Sequence, residues 1–382
     1  MLRRKVILFL LVFALLLTSP FVNAAYSQGG SPVLLGHFPA VAQAEPPYNA
    51  YLPIILISVP PPAGPADVIM LGIYPTGWPG TDGMAEAHAI DTWAGKGLSI
   101  VGTFIGIEDP SIDIDVRQQL TTIWNNGYTP FVNLLTQYTA TDIVNGKLDT
   151  KLYQWKTALR QYANGGERLV FLAPLDEMNG DWVSYGSADP SKFKNAYWHI
   201  QSIFSNSKNG APVPDESLRW VFAPNGWSSD GYPDFERYYP GAATTDVVAF
   251  SSYNYGCAIA SNGIWKGEFR VFRQYLERMT AMAPDKPIIV AQTGTTAKYY
   301  SPTHPCSFDD SKKNDWLFES YAYLAVPPYP NLRAIIYFNK GTKSIPDLPF
   351  WTTAKQYGGF QQGIAFAPYI YVPPTLVRNY FP

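Results

Sequence analysis

Eight short apolar runs recur along this chain, and each is continuous. They are DVIMLGIY (67–74), LSIVGTFI (98–105), YTPFVNLL (128–135), RLVFLAPL (168–175), LRWVFAPN (218–225), DVVAFSSYNY (246–255), KPIIVAQT (286–293) and LRAIIYFN (332–339). Each is rich in β-branched or aromatic residues. Apolar character at every position, not every second one, marks a strand covered on both faces. Helix-like stretches intervene, such as TKLYQWKTALRQYAN (150–164), SKFKNAYWHIQSIFSN (191–206), KGEFRVFRQYLERMTAM (266–282) and KKNDWLFESYAYLA (312–325). One unit takes roughly 30–50 residues, as βα repeats do. Eight such units predict a (β/α)8 barrel, an α/β fold of the TIM type, over residues 67–350. The rival is an open doubly wound sheet. Against it, the turn after the first run, GIYPTGWPG, lacks the GxGxxG phosphate loop.

The first 24 residues, MLRRKVILFLLVFALLLTSPFVNA, place Arg3, Arg4 and Lys5 before an apolar run from Val6 to Leu17. Val22 and Ala24 then form a small-residue cleavage pattern. This reads as a secretory signal peptide cleaved near Ala24. The apolar run is short for a membrane span, and no later segment is long enough to cross a bilayer. Residues 25–66 read as a Pro-rich linker, and 351–382 as a C-terminal extension. The expectation is a monomer that is secreted, free or attached to the cell envelope. Loss of the three basic residues moves the formal net charge from −2 to −5. That argues against nucleic acid as a partner.

In a barrel, chemistry sits at the C-terminal ends of the strands. Here those ends carry aromatics, amides and a few carboxylates, with hardly a Lys or Arg. That suits an uncharged, hydroxyl-rich ligand better than a phosphate. Aromatics make up 15% of the chain, which fits either a bulky core or a surface that stacks on sugar rings. His37, His88, His199 and His304 are scattered and no CxxC occurs, so no metal or organic cofactor is implied. Cys257 and Cys306 form one disulfide or remain two separate buried thiols.

The most informative stretch is FLAPLDEMNGDWVSYG (171–186). Glu177 lies just past an apolar strand, in a polar turn with Asp176, Asn179 and Asp181, and Trp182 follows. A partly buried carboxyl group there is suited to general-acid work. Alternatively, Asp176 or Glu177 caps the next helix. PLDEMNGDW resembles the signature of glycoside hydrolase family 26, the endo-β-mannanases and related β-glucanases. NGKLDTKLYQW (145–155), KPIIVAQTG and LRAIIYFNK resemble further segments of that family, in the right order.

The resemblance implies a β-linked polysaccharide or oligosaccharide as partner and a retaining double displacement. Two carboxyl groups about 5–5.5 Å apart carry such a reaction. It assigns Glu177 as acid/base and Trp182 as a stacking residue, with Asn179 and Trp227 beside them in the substrate site. Tyr253 or Tyr255 is the tyrosine beside the nucleophile, and Tyr337 or Phe338 the aromatic platform after the eighth strand. Two positions depart from the pattern. Asp176 stands where the family has a substrate-contacting histidine, and Gln292 where it has the nucleophilic glutamate. An amide forms no glycosyl ester, and without a charged neighbour Glu177 is expected to be a poorer proton donor.

Three readings follow: weak or absent hydrolysis by the family route, a non-catalytic glycan-binding protein, and an inverting glycosidase. The last would use Glu108, Asp109, Asp181, Asp230 or Glu268 as base. A secreted barrel with an unrelated partner is the plainest alternative. A Cys257–Cys306 bridge would join the loops after strands six and seven and brace the cleft.

Overall fold

The computed structural model describes residues 67–382, apart from 80, 81, 110, 261, 262 and 328. The signal peptide and linker expected in residues 1–66 lie outside the described residues.

All eight apolar runs become parallel strands, closed into one barrel in sequential order. They are β1 (Met70–Tyr74), β2 (Ile100–Gly106), β3 (Thr129–Leu135), β4 (Val170–Pro174), β5 (Leu218–Phe222), β6 (Val247–Asn254), β7 (Ile288–Thr295) and β8 (Leu332–Phe338). β8 closes on β1, Met70 pairing with Ala334 and Tyr74 with Phe338. The expected (β/α)8 architecture is therefore correct. Helices Asp149–Ala163, Pro190–Ser205 and Asp310–Ala325 cover the predicted helical stretches. The segment at 266–282 opens instead on a π-helical turn, Phe269–Arg273, before Gln274–Met282.

Side chains along each strand split between two cores. Val290, Ile335 and Tyr337 join the outer layer under the helices. Met70, Phe171, Ala249, Ile289 and Ile336 fill the barrel itself. This is why the runs are apolar throughout: both faces are dry. The interior floor comes from the C-terminal segment. Val372, Val377 and Phe381 belong to the inner cluster, and the Phe381 ring lies 4.7 Å from that of Phe171. Arg219 Nε donates to the Phe381 carbonyl at 2.6 Å, and Val372 N–H to Ser99 Oγ at 2.8 Å. Residues 368–382 thus plug the end of the barrel opposite the strand mouths.

After β7 the chain forms an antiparallel hairpin, Lys298–Ser301 with His304–Phe308, where the sequence suggested only a loop. Cys306 on this hairpin is bonded to Cys257 in the loop after β6 (S–S 2.08 Å).

Candidate active site

Two backbone irregularities bring the site together. On β4, Phe171 and Ala173 face the interior, so simple alternation would point Leu175 inward. Leu175 instead adopts φ +60° and its side chain joins the outer core. Asp176, the next residue, then turns to the mouth of the barrel. Glu177 also has positive φ, +55°. Left-handed backbone at non-glycine residues costs about 1–3 kcal/mol each and collects at functional sites.

On β7 the irregularity is a bulge. Val290 pairs with Phe250 and Gln292 with Ser251. On the other side Val290 pairs with Ile335 and Thr293 with Tyr337. β7 thus carries one residue more than either neighbour. Ile289 and Ala291 face inward, and strict alternation would send Gln292 outward, under the helices. The extra residue reverses the phase, as bulges do, and Gln292 faces the mouth.

Asp176 and Gln292 meet there. Gln292 Nε2 donates to Asp176 Oδ2 at 3.2 Å, and the Tyr253 hydroxyl donates to Gln292 Oε1 at 2.9 Å. Both residues are buried. The Tyr185 hydroxyl donates to the Asp176 backbone carbonyl at 3.0 Å. Burial pushes the Asp176 carboxyl well above the usual carboxylate range, the Glu177 charge adds to the rise, and the Gln292 bond offsets part of it.

Glu177 is held on both oxygens. The Trp182 indole N–H donates to Oε2 at 2.8 Å, and Asn225 Nδ2 to Oε1 at 3.2 Å. Gly180 makes the first bond possible: a Cβ there would lie 2.3 Å from the indole. Burial raises the Glu177 carboxyl, and the bonds from Trp182 and Asn225 work in the opposite direction. Burial alone thus moves the Glu177 carboxyl in the direction that suits proton donation, with no charged residue at 292.

The aromatic residues sort by face. Tyr253 and Phe338 lie inside, ring centroids 6.1 Å apart, and Tyr255 stacks on Tyr253 at 5.2 Å. Tyr337 points the other way. It is fully buried in the outer core, and its hydroxyl donates to the Leu348 carbonyl at 2.8 Å. Of the two platform candidates only Phe338 faces the cleft. Trp182 and Trp227 pair at 5.0 Å, Trp227 remaining 45% exposed. That exposed ring gives a sugar a surface to stack on.

Asn179 braces two loops. It is fully buried. Its Nδ2 donates to the carbonyls of Asn225 (2.8 Å) and Trp227 (3.1 Å), and its Oδ1 accepts from Asn225 N–H at 2.9 Å. It pins the loop after β4 to the loop after β5, and so sets where Asn225 and Trp227 stand. Asn225 and Tyr74 were missed as site residues, although both are strand-end polar residues. Tyr74 lies between Phe104 (5.0 Å) and Phe338 (5.8 Å). Its ring fits only because Gly102 leaves the space, where a Cβ would come within 2.3 Å.

Of the other candidate carboxylates, Glu108 and Asp181 tie neighbouring loops together and Asp109 serves its own loop. Glu108 accepts from Thr136 Oγ (2.6 Å) and Gln137 N–H (2.8 Å), Asp109 from Gly106 N–H (3.1 Å), and Asp181 from Ser229 Oγ (2.8 Å). Asp230 is exposed and Glu268 half-buried.

The model of "Glycosyl hydrolase family 26" matches residues 86–317. The chain belongs to glycosyl hydrolase family 26. Among curated relatives of this family 26 chain is Endoglucanase H of Acetivibrio thermocellus. It is 25% identical over 288 residues, which cover 72% of the chain and 29% of the relative. Mannan endo-1,4-beta-mannosidase of Bacillus subtilis is 29% identical over 210 residues, 45% of the chain and 55% of the relative. The chain thus spans about a third to a half of the length of these proteins. A modular endo-beta-1,4-mannanase from Cellulomonas fimi shares the fold. The TM-score is 0.54 at 16% identity, covering 80% of this chain and 72% of that one.

Proposed function

We propose that this chain is a β-glycan-directed member of its family with Glu177 as acid/base and Gln292 in the nucleophile's place. It grips a β-mannan or β-glucan between its tryptophans and hydrolyses it weakly or not at all by the retaining route. The observation that carries this reading is the contact between Asp176 and Gln292. Where a retaining enzyme needs an ionised carboxylate facing its acid, the cleft holds an amide bonded to Tyr253 and Asp176. A neutral amide is too weak a nucleophile to form the glycosyl ester. The aromatic faces and the hydrogen bonds around Glu177 do not depend on that step, so binding survives its loss.

The names of the relatives, an endoglucanase and a mannan endo-1,4-beta-mannosidase, support a β-linked glucan or mannan as ligand. In this reading the chain acts as an exported monomer, with residues 1–24 removed as a signal peptide and 25–66 serving as a tether. The test pairs reducing-end assays on β-mannan and β-glucan with calorimetry on manno- and gluco-oligosaccharides. Binding with turnover far below ordinary glycosidase rates is expected. Wild-type turnover at ordinary rates would sink the reading.

A further inference from the structure

The outer flank of the barrel carries a groove of about 720 Å³. Three elements wall it. The first is helix Asp149–Ala163, which follows β3. The second is the turn 111–114, which leads into the π-helical segment Asp113–Gln118 after β2. The third is the loop that follows helix Pro190–Ser205, through Asn209. None of the cleft residues described above belongs to it. Single π-helical turns are rare and often mark functional sites.

Its lining is unlike an ordinary surface helix. Tyr153, Thr157 and Gln161 are spaced four apart and share one face, with Gln154 beside them. None carries a charge, whereas the solvent face of a helix normally displays charged side chains. Among the described residues, Gln154, Gln161 and the Tyr153 hydroxyl have no hydrogen-bond partner. The one carboxyl group of the lining, Asp113, is taken by Arg117 through bonds of 2.7 and 2.9 Å. Uncommitted amides and a phenol beside an aromatic ring suit an uncharged, hydroxyl-rich ligand.

Two lysines hold the walls in place. Lys156 is fully buried, and its ammonium group donates to the carbonyls of Asn206 (2.5 Å) and Lys208 (2.8 Å). This pins the third wall to the helix. Lys151 Nζ donates to the Asp109 carbonyl at 3.3 Å and ties the loop after β2 to the same helix. The Lys156 and Lys208 ammonium groups lie 5.7 and 5.6 Å from the Tyr153 ring centroid, an attraction that steadies the ring. Asn209, on the lip, has φ +56°, which is uncommon outside glycine. Burying an ammonium group is costly, and this one serves the groove rather than the cleft.

We propose that this groove is a second glycan-binding site, which holds a stretch of the same β-linked polysaccharide outside the cleft. The Tyr153 ring stacks on a sugar face, and Gln154 and Gln161 bond the hydroxyl groups. The site binds and does no chemistry. Its ligand class rests on the proposed function, and its geometry does not. A polymer held at both places is gripped more tightly than either site alone achieves, because the second contact is intramolecular. A chain that cleaves slowly or not at all stays on its polymer by this route.

The experiment measures retention by affinity electrophoresis in gels containing soluble β-mannan or β-glucan, alongside calorimetry on manno- and gluco-tetraose. Tyr153→Ala removes the ring. Thr157→Trp fills the groove from an exposed position, and melting temperatures matching the wild type show that both variants fold. Each should weaken polysaccharide retention about tenfold and leave the tetraose affinity of the cleft within about twofold. Trp227→Ala should lower both readings. Wild-type retention in Tyr153→Ala and Thr157→Trp, with Trp227→Ala impaired, overturns the groove site and leaves the cleft reading standing. Lost retention in the two groove variants, with Trp227→Ala unchanged, keeps the groove and sinks the cleft reading. Failure of the wild type to bind any β-glycan removes both proposals.

Discussion

Gln292 on β7 donates its amide N–H to the Asp176 carboxylate after β4, 3.2 Å across the mouth of the barrel. The contact exists because each strand breaks its own alternation, β4 through a left-handed Leu175 and β7 through a bulge at Ala291. Both side chains would otherwise face the helices or be out of reach. The pair decides which carboxyl groups the cleft can ionise.

The same pair limits what a single reversion achieves. In Gln292→Glu the new carboxyl group meets Asp176 at hydrogen-bonding distance, and two such groups share one proton. The restored nucleophile is then partly protonated near neutrality. Activity on β-mannan should rise only modestly in Gln292→Glu and further, by about tenfold or more, in Asp176→His/Gln292→Glu. Initial rates for the wild type and both variants check this. A single variant as active as the double would refute it.

Trp182 tunes Glu177 through the indole N–H. That bond favours the carboxylate and opposes the rise that burial produces. Removing it in Trp182→Phe should raise the Glu177 pKa further. An acid works below its pKa and fails as pH climbs through it, so the alkaline limb of kcat/KM should move to higher pH. Trp182→Phe also keeps most of the stacking face, so oligosaccharide affinity should fall by less than about tenfold. A pH–rate profile on any hydrolysed substrate, alongside calorimetry, separates the two effects. An unmoved alkaline limb would break the link between Trp182 and Glu177.

Asp176 should cost the fold stability at neutral pH. Its folded pKa lies above the unfolded value near 4, so the folded state binds the proton more tightly. Its contribution is fully favourable below the unfolded pKa and is lost as pH rises toward the folded one. Asp176→Asn removes this dependence. Its Tm should exceed that of the wild type at pH 7, and the difference should shrink at pH 4. Thermal unfolding at the two pH values measures it, and equal differences would contradict the assignment.

Asn179 should behave as a positioning residue. Asn179→Ala leaves the Asn225 N–H without its acceptor and frees the loop that carries Trp227. An unsatisfied buried group of this kind costs about 1–3 kcal/mol. Unfolding in denaturant should show that loss, and glycan affinity should drop through the displaced Trp227. Unchanged stability with lost binding would return Asn179 to the ligand-contacting set.

The eight strands, their order and the helices between them were legible in the residues, because a barrel strand dry on both faces has a simple signature: every position is apolar. Glu177 and Trp182 were legible for a different reason. Their stretch is short and local, so sequence neighbours are also spatial neighbours, and the indole reaches the carboxylate five residues back across Gly180. The 49-residue separation of Cys257 and Cys306 gave no such proximity, and their bond depends on a hairpin that the residues did not announce.

Which of Tyr337 and Phe338 faces the cleft was decided by the phase of the strands, and the bracing of two loops by Asn179 by its long-range partners. Neither can be read within one segment. The chain by itself determined that a carboxyl group would follow β4 and an amide would end β7. Only the tertiary structure put Asp176 against Gln292. A strand's facing residues are set by its register with both neighbours, and a single inserted residue inverts them.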